Sequence, residues 1–254
     1  MRGLRSAVLA LAAAAGLSGS ALAAGEAPVP PNQDWPFEGI FGTFDRASMQ
    51  RGFQVYKEVC SGCHGMNLLA YRNLTDLGFS EDEVTAIAAQ YRVTDGPDDT
   101  GEMFERPGRP SDIFVDPFAN EQAARAANNG ALPPDLSVIT KARGGGPDYI
   151  YGILTGYEEP PPGVELMAGM HYNEYFPGHQ IAMPNLLSPG LVQYADGTEA
   201  TVQQMSWDVV QFLTWAAEPH MEERKEMGVQ VILFLIVFTG LMYAVKRKLW
   251  ADVH

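Results

Sequence analysis

Apolar residues recur at helical spacing in several segments, and loops rich in Pro and Gly separate these segments. The first has Met49, Phe53 and Tyr56 on one side and Asp45 as its N-cap, which predicts a helix that delivers Cys60. The same pattern, with capping residues and glycine stops, predicts helices over residues 81–91, 120–127, 135–143, 147–154 and 202–215. No segment alternates clearly enough to predict a strand. The pattern therefore predicts a mainly α-helical fold with long loops.

Two further segments have no sustained period and contain many Pro, Gly and aromatic residues. We expect residues 25–44 to form an extended arm on the surface of the domain. We expect residues 157–200 to form a loop region that wraps around it.

The most apolar stretch of the chain lies near its C-terminus. Residues 228–245 are 18 residues without a charge, and a membrane-spanning helix needs roughly 20 apolar residues, with about 17 as the lower end. Mixed charges precede this run and Lys246-Arg247-Lys248 follows it, which predicts a cytoplasmic C-terminus. The alternative is a buried core helix, but a helix this apolar on every side would need a much larger domain around it. We predict a transmembrane anchor over residues 222–254, with a short cytoplasmic tail.

The N-terminus has the three parts of a secretory signal peptide. Arg2 and Arg5 form a charged start, residues 7–17 form a short apolar run, and Ala21-Leu22-Ala23 is a small-residue cleavage site. The alternative is an uncleaved membrane anchor, which fits less well because the apolar run is short and rich in Ala. We predict a signal peptide over residues 1–24 and an exported domain over residues 25–221, in the periplasm of a bacterium.

Acidic residues dominate the charge of the chain. The formal net charge is −14, and removal of the signal peptide leaves 15 basic and 31 acidic residues. This balance argues against nucleic acid and anionic lipid as main partners and favours a basic protein partner. The densest segment, Asp76 to Glu105, holds nine acidic residues and one basic residue. It could steer a basic partner, or it could simply add solubility.

The only two cysteines of the chain lie in the pattern Cys60-Ser61-Gly62-Cys63-His64. Two thiols at this spacing lie on one side of a helical turn, where both can bond the vinyl groups of one haem, and the histidine can ligate its iron. A zinc site would need further ligands such as a second cysteine pair, and a thioredoxin-like site would need a preceding strand and a βαβ unit. We predict one covalently bound haem c, attached at Cys60 and Cys63 and ligated axially by His64.

The iron would have one further axial position, and the downstream candidates are Met167, Met170, His171, His179, Met183 and Met205. Met205 lies on the apolar side of a predicted helix and is more typical of a core residue. Isolated histidines in loops lie more often at the surface. Met183 precedes Pro184, which favours an extended loop that could present the thioether. The spacing alone does not decide between these candidates.

Several longer motifs accompany the cysteine pattern: Arg51-Gly52-Phe53-Gln54-Val55-Tyr56, Gly101-Glu102-Met103-Phe104, Ala127 through Ser137, Leu154-Thr155-Gly156-Tyr157 and Tyr175-Phe176-Pro177-Gly178. Together with the C-terminal apolar run, they make the chain resemble the cytochrome c1 family, the haem subunits of ubiquinol–cytochrome c oxidoreductase. The resemblance covers nearly the whole mature chain.

The resemblance implies roles for individual residues. His64 and Met183 would be the axial pair, Pro134 would line the haem pocket and Arg143 would pair with a haem propionate. A guanidinium also suits a carboxylate because it can donate two parallel hydrogen bonds, although a surface arginine near a helix C-terminus is the alternative. Some relatives carry further cysteines near position 157, where this chain has Glu158-Glu159, so no disulfide can form there.

The resemblance also implies the fold and the function. We expect a class I c-type cytochrome domain with long loops, followed by one transmembrane helix in the bacterial inner membrane. The chain would pass single electrons from the Rieske iron–sulfur protein to a soluble c-type cytochrome, next to cytochrome b, with no substrate bond made or broken on this chain. His/Met ligation gives a high reduction potential, which suits a late step of a quinol-oxidising chain. The alternatives are a membrane-anchored shuttle outside any complex, an oxidase subunit and a ligand-sensing haem protein.

Overall fold

The computed structural model describes residues 28–252, so the predicted signal peptide lies outside the described residues. The described fold is mainly helical, as predicted. Its α-helices are α1 (Arg46–Val55), α2 (Glu81–Ala88), α3 (Glu121–Ala127), α4 (Gly146–Thr155), α5 (Val202–Ala217) and α6 (Met221–Leu249). A π-helical turn (Tyr56–Cys60) extends α1, and a 3-10 helix (Tyr71–Leu77) precedes α2. Two small antiparallel sheets pair β1 (Arg92–Asp95) with β2 (Phe104–Pro107) and β3 (His171–Tyr172) with β4 (Gln180–Ile181).

Helix α1 begins at a side-chain cap and ends in a change of helical period. The Asp45 carboxylate accepts hydrogen bonds from the backbone N–H groups of Ala47 (3.0 Å) and Ser48 (3.2 Å), which satisfies two of the free donors of the first turn. After Val55 the helix widens, and the N–H of Ser61 donates to the carbonyl of Tyr56 at 2.8 Å. Such π-turns occur often at functional sites. This turn carries Cys60.

Helices α1 and α5 cross at very close range. A Cβ atom on Gly52 would lie 2.0 Å from the backbone oxygen of Asp208, so only glycine allows this approach. The side chain of Asp208 is fully buried and accepts hydrogen bonds from Arg51 Nε (2.9 Å) and Nη2 (3.0 Å). Gln211 Nε2 donates to Ser48 Oγ at 2.6 Å, one turn before Gly52 on α1 and one turn after Asp208 on α5. A buried polar network therefore joins the two helices where they cross.

Aromatic rings fill the core around this crossing. The ring of Phe212 lies 5.7 Å from that of Phe53 and 5.8 Å from that of Tyr56. On the other side, Tyr71 of the 3-10 helix stacks on Phe114 at 4.6 Å. Such ring pairs stabilise the core beyond the burial of their area.

The N-terminal arm contributes to this core, so the expectation of a surface arm is wrong for Trp35 and Phe37, which are buried, whereas Phe41 is exposed. Trp35 is only 3% exposed and stacks on Trp207 of α5 at 4.3 Å. Its indole Nε1 donates to Asp148 Oδ1 at 2.7 Å. The ring is buried because its apolar area gains from burial and its one polar atom finds an acceptor.

The helix predicted over residues 135–143 is absent, and this part of the chain forms consecutive turns. The Asp135 carboxylate accepts hydrogen bonds from Ser137 N (2.8 Å) and from Asn67 N (2.7 Å). A side chain that bonds the backbone two residues ahead competes with helix formation. The second bond ties the segment to the residues that follow the cysteine motif.

The two small sheets were not predicted. In the first, the pairing runs in register from Arg92 opposite Pro107 to Asp95 opposite Phe104. Both strands are largely accessible on both faces, so no alternation of apolar and polar residues marks them in the sequence. The guanidinium of Arg106 fixes the hairpin by ion pairs with Asp95 and, at 2.6 Å, with Asp112.

Helix α6 follows α5 after only three residues, Glu218 to His220. It has 29 residues, which corresponds to a length of about 44 Å and exceeds the hydrocarbon thickness of roughly 30 Å. Within residues 28–252 it is the one helix that is both long enough and apolar enough to cross a membrane. None of its most apolar stretch is buried inside the protein.

We predict that Gly52→Ala destabilises the fold. The added methyl group would meet the backbone of Asp208, which cannot rotate away as a side chain can, so α1 and α5 must separate. Overpacking of this kind costs about 1–3 kcal/mol. Thermal unfolding of the full chain, followed by far-UV circular dichroism, should show a lower midpoint.

Gly144→Ala is the matched control. A Cβ at this position meets no atom within 4 Å, so its midpoint should stay near that of the unmodified chain. Equal midpoints for Gly52→Ala and Gly144→Ala would contradict the close crossing.

Candidate functional site

A cavity of about 380 Å³ lies beside the crossing of α1 and α5. Its volume falls in the range of about 300–1,000 Å³ that is typical of cofactor and ligand pockets. Most of its wall is apolar, and it is built from the π-turn, the segment after α3, α4, the segment after β4 and one face of α5. All six residues predicted for the haem site line this cavity: Cys60, Cys63, His64, Pro134, Arg143 and Met183.

One turn of backbone holds both cysteines at the cavity. The carbonyl of Cys60 accepts hydrogen bonds from the N–H groups of Cys63 (3.1 Å) and His64 (3.0 Å). Both thiols are half-buried and unbridged. Two thiols thus face one apolar cavity from adjacent positions.

The alternative chemistries of this motif fit less well. Burial, and to a lesser degree the neighbouring Cys63, raises the pKa of the Cys60 thiol to about 12. A thiol redox site needs a lowered pKa, because the thiolate is the reactive form. For a zinc site, no cluster of three or more His, Cys, Asp or Glu side chains with metal-binding geometry occurs within residues 28–252.

The imidazole of His64 is oriented by Pro134. Its Nδ1 lies 2.7 Å from the carbonyl oxygen of Pro134, and since a carbonyl can only accept, Nδ1 carries the proton. The lone pair is then on Nε2, the nitrogen left for a metal. Burial lowers the pKa of His64, against smaller opposing effects of the Pro134 carbonyl and Asp135, and this favours the neutral ring.

Met183 lies in the loop that follows β4, half-buried at the cavity wall. Its backbone oxygen accepts a hydrogen bond of 2.9 Å from the hydroxyl of Tyr157. Burial raises the pKa of Tyr157 above its ordinary value, so the hydroxyl stays a donor. The sequence marked Tyr157 only as part of a motif, and its role in holding the Met183 loop depends on a long-range contact.

The five other candidates for the second axial position do not line the cavity. Met205 is fully buried in the core, and Met167 is exposed. His171 is exposed on β3, and Met170 precedes that strand. His179 stacks on Tyr172 with ring centroids 5.5 Å apart. Of the six, the fold brings only Met183 to the cavity that holds His64.

Arg143 lies at the exposed rim of the cavity. Its Nη1 donates to the carbonyl of Ala142 at 3.1 Å. Among residues 28–252, no Asp or Glu side chain forms an ion pair with it. The guanidinium can therefore donate to a carboxylate of a bound molecule.

Comparison with known proteins identifies the chain. The model of the Cytochrome C1 family matches residues 35–253. The chain belongs to the cytochrome c1 family. Membership of this family implies a covalently bound c-type haem, and the cavity suits one through its paired thiols, oriented imidazole and apolar walls.

Relatives of this cytochrome c1 family member occur in bacteria and in mitochondria. A cytochrome b/c1 of Bradyrhizobium diazoefficiens is 54% identical over 247 residues, which cover 89% of this chain and 36% of that protein. Cytochrome c1 of Rhodospirillum rubrum is 51% identical over 237 residues, 87% of each chain. The mitochondrial cytochrome c1-1 haem protein of Solanum tuberosum is 54% identical over 219 residues, 86% of this chain and 68% of that protein. The chain thus spans about a third of the Bradyrhizobium protein and most of the other two.

Proposed function

We propose that this chain is the electron-transfer subunit of a bacterial quinol–cytochrome c oxidoreductase, with one haem c attached to Cys60 and Cys63 and ligated by His64 and Met183. The observation that carries the proposal is that the cysteine motif and Met183, far apart in the sequence, line one apolar cavity. A c-type haem bound there supplies an iron that gains and loses one electron.

The residues of the chain tune and protect this site. The Pro134 carbonyl keeps the proton of His64 on Nδ1, so Nε2 serves as the ligand atom. Tyr157 holds the Met183 loop at the cavity wall. Apolar side chains from α4 and α5, among them Ile153 and Leu213, exclude water. Arg143 at the rim is the partner proposed for a propionate.

The proposed orientation of the chain across the membrane is based on the charged residues near its two ends. A signal peptide over residues 1–24 would export the haem domain, residues 25–221, to the periplasm. The basic residues Lys246, Arg247 and Lys248 in the last turn of α6 favour a cytoplasmic C-terminus in the bacterial inner membrane.

The proposed partners are cytochrome b, the Rieske iron–sulfur protein as donor and a soluble c-type cytochrome as acceptor. A relative in Candida albicans, 50% identical over 225 residues, is named as the catalytic subunit of the cytochrome b-c1 complex. The short junction between α5 and α6 also favours a subunit of fixed position over a mobile shuttle, which would need a flexible linker.

Purification of the tagged full chain from its native membrane tests this proposal. We expect a b-type haem and an iron–sulfur protein to co-purify, and the preparation to transfer electrons from a quinol to a c-type cytochrome. A chain that elutes alone after mild solubilisation, with its haem fully reducible, would support a membrane-anchored shuttle instead.

Met183→Leu tests the proposed sixth ligand. Loss of the thioether should leave the haem covalently attached, lower its reduction potential and allow carbon monoxide to bind the reduced iron, because one axial position opens. Redox titration and the visible spectrum under carbon monoxide measure both effects.

Met205→Leu is the matched control, since Met205 is buried in the core away from the cavity. The swap conserves volume and is tolerated at less than about 1.5 kcal/mol, so potential and carbon monoxide binding should not change. An unchanged potential in Met183→Leu would pass the role to another residue, with His179 next.

The acidic segment from Asp76 to Glu105 is proposed to steer a basic cytochrome toward this domain. Steering can raise association rates roughly 10- to 10³-fold and fades with salt, since the Debye length is about 8 Å at physiological ionic strength. Two of its carboxylates have structural roles: Asp95 pairs with Arg106, and Asp98 accepts three hydrogen bonds within its own loop. Neutralisation should therefore avoid these two.

Joint replacement of Asp82, Asp99 and Glu102 by their amides should reduce the salt dependence of electron transfer to a basic c-type cytochrome. These carboxylates form no hydrogen bond or ion pair within residues 28–252, so the haem spectrum should not change. The measurement is the second-order rate as a function of ionic strength. Amides at Glu159, Glu165 and Glu199 are the control; equal slopes for the two triple variants would assign the segment to solubility.

A further inference from the structure

A tight loop near the start of the described chain exposes two large apolar side chains. Ile40 is 67% exposed and Phe41 is 84% exposed, whereas Phe37 and Phe44 on either side are buried in the core. We refer to Ile40 and Phe41 as the apolar tip. Single exposed apolar residues are common on soluble proteins, so the surroundings of the tip decide its meaning.

The loop that carries the apolar tip is fastened to the first turns of α6. Lys225 Nζ donates to the carbonyl oxygens of Phe37 and Gly42, the second at 2.9 Å. The loop is closed tightly, since a Cβ on Gly42 would lie 1.9 Å from the backbone oxygen of Glu38. The tip is therefore held in a fixed position next to the helix.

A second set of contacts joins α6 to the start of α1. The Glu222 carboxylate accepts a hydrogen bond of 2.6 Å from Phe44 N and pairs with Arg46 at 2.8 Å. The loop, α1 and α6 therefore meet at one end of the haem domain.

The position of Lys225 along α6 indicates the depth of the apolar tip relative to the bilayer. Lys225 precedes Gly228, the first residue of the uncharged run, by three residues, or about 4.5 Å along the helix axis. The headgroup layer on each side of a bilayer is about 5–7 Å thick. If the uncharged run fills the hydrocarbon, the loop that Lys225 holds lies at the level of the headgroups.

The two ends of α6 differ in their aromatic residues. Toward its C-terminus the helix carries Tyr243, and Trp250 follows it with the Lys246 ammonium 5.6 Å from its ring. From Met221 to Leu233 the helix carries no aromatic residue. Aromatic residues, chiefly Trp and Tyr, are enriched at both membrane interfaces, and at the first end the neighbouring loop supplies Phe41.

We propose that the apolar tip inserts into the headgroup layer of the bilayer that α6 spans, as a second membrane contact of the haem domain. One helix alone leaves a domain free to tilt, whereas a helix and a rigid apolar tip beside it define an orientation. The tip would thus fix the angle between the haem cavity and the membrane plane. The inference rests on α6 crossing a bilayer, which the experiment below tests separately.

Spin-label accessibility in phosphatidylcholine–phosphatidylglycerol nanodiscs tests the proposal with the haem-loaded full chain. A nitroxide at Phe41→Cys should collide readily with oxygen and rarely with a water-soluble nickel chelate. Leu191→Cys is the control. Leu191 is 45% exposed. The backbone N–H of its neighbour Gly190 donates to the carbonyl of Ala200, next to the end of α5 that lies away from α6. That label should show a several-fold lower ratio of oxygen to nickel collisions.

Phe234→Cys, on the exposed surface of α6, reports whether the helix is in the bilayer. High nickel access at this position would reject the span itself, whereas high nickel access at position 41 alone would reject only the tip contact. A label at position 41 that is shielded from both reagents would mean that protein, not lipid, covers the tip, and this too would overturn the proposal.

A second variant avoids new cysteines. Joint Ile40→Ser and Phe41→Ser replacement should broaden the orientation of the haem plane in oriented bilayers, measured by linear dichroism of the Soret band. Leu191→Ser should leave the dichroism unchanged. Equal dichroism in the double variant and the unmodified chain would contradict an orienting role of the tip.

Discussion

The close crossing of α1 and α5 is the constraint on which the rest of the structure depends. Gly52 lets the two backbones touch, and the buried Asp208 is neutralised by Arg51 at that point. A buried carboxylate without its partner would be strongly destabilising, so charge as well as shape fixes the register of the two helices. One helix continues into the π-turn with Cys60, and the other presents Val209 and Leu213 to the same cavity. The crossing thus sets the distance between the cysteine motif and the opposite helix.

Apart from α4, the remaining walls of the cavity come from segments without regular helix or strand, and individual hydrogen bonds hold two of them. The segment with Pro134 is tied to the residues after the cysteine motif through Asp135 and Asn67. The Met183 loop is tied through Tyr157, at the end of α4. Each of these contacts places one segment that lines the cavity. These bonds position an irregular wall because each runs between segments that are far apart in the sequence.

The sequence was most informative where a local pattern has a local cause. Asp45 caps α1 as predicted, and the uncharged run predicted α6, because capping and length are properties of one segment. The short β1–β2 hairpin and the turns over residues 135–143 were missed, because the first shows no alternation and the second depends on the bond from Asn67 to Asp135. For the site, the spacing of Cys60, Cys63 and His64 indicated haem chemistry by itself. The choice of Met183 as the second axial candidate needed the family resemblance. Which methionine lines the cavity depends on the folded chain, and the spacing along the sequence does not show it.

The junction with α6 has a consequence for electron transfer. Three residues separate α5 from α6, and Lys225 and Glu222 bind the loop and helix at the same end of the domain. Those bonds involve backbone carbonyls as well as side chains, so the domain cannot turn about the junction without breaking several of them at once. On the proposed function, the haem cavity therefore keeps one position relative to α6. Donor and acceptor must then approach a stationary site in turn, and an acidic surface that attracts a basic acceptor from solution is the electrostatic arrangement that such a site requires.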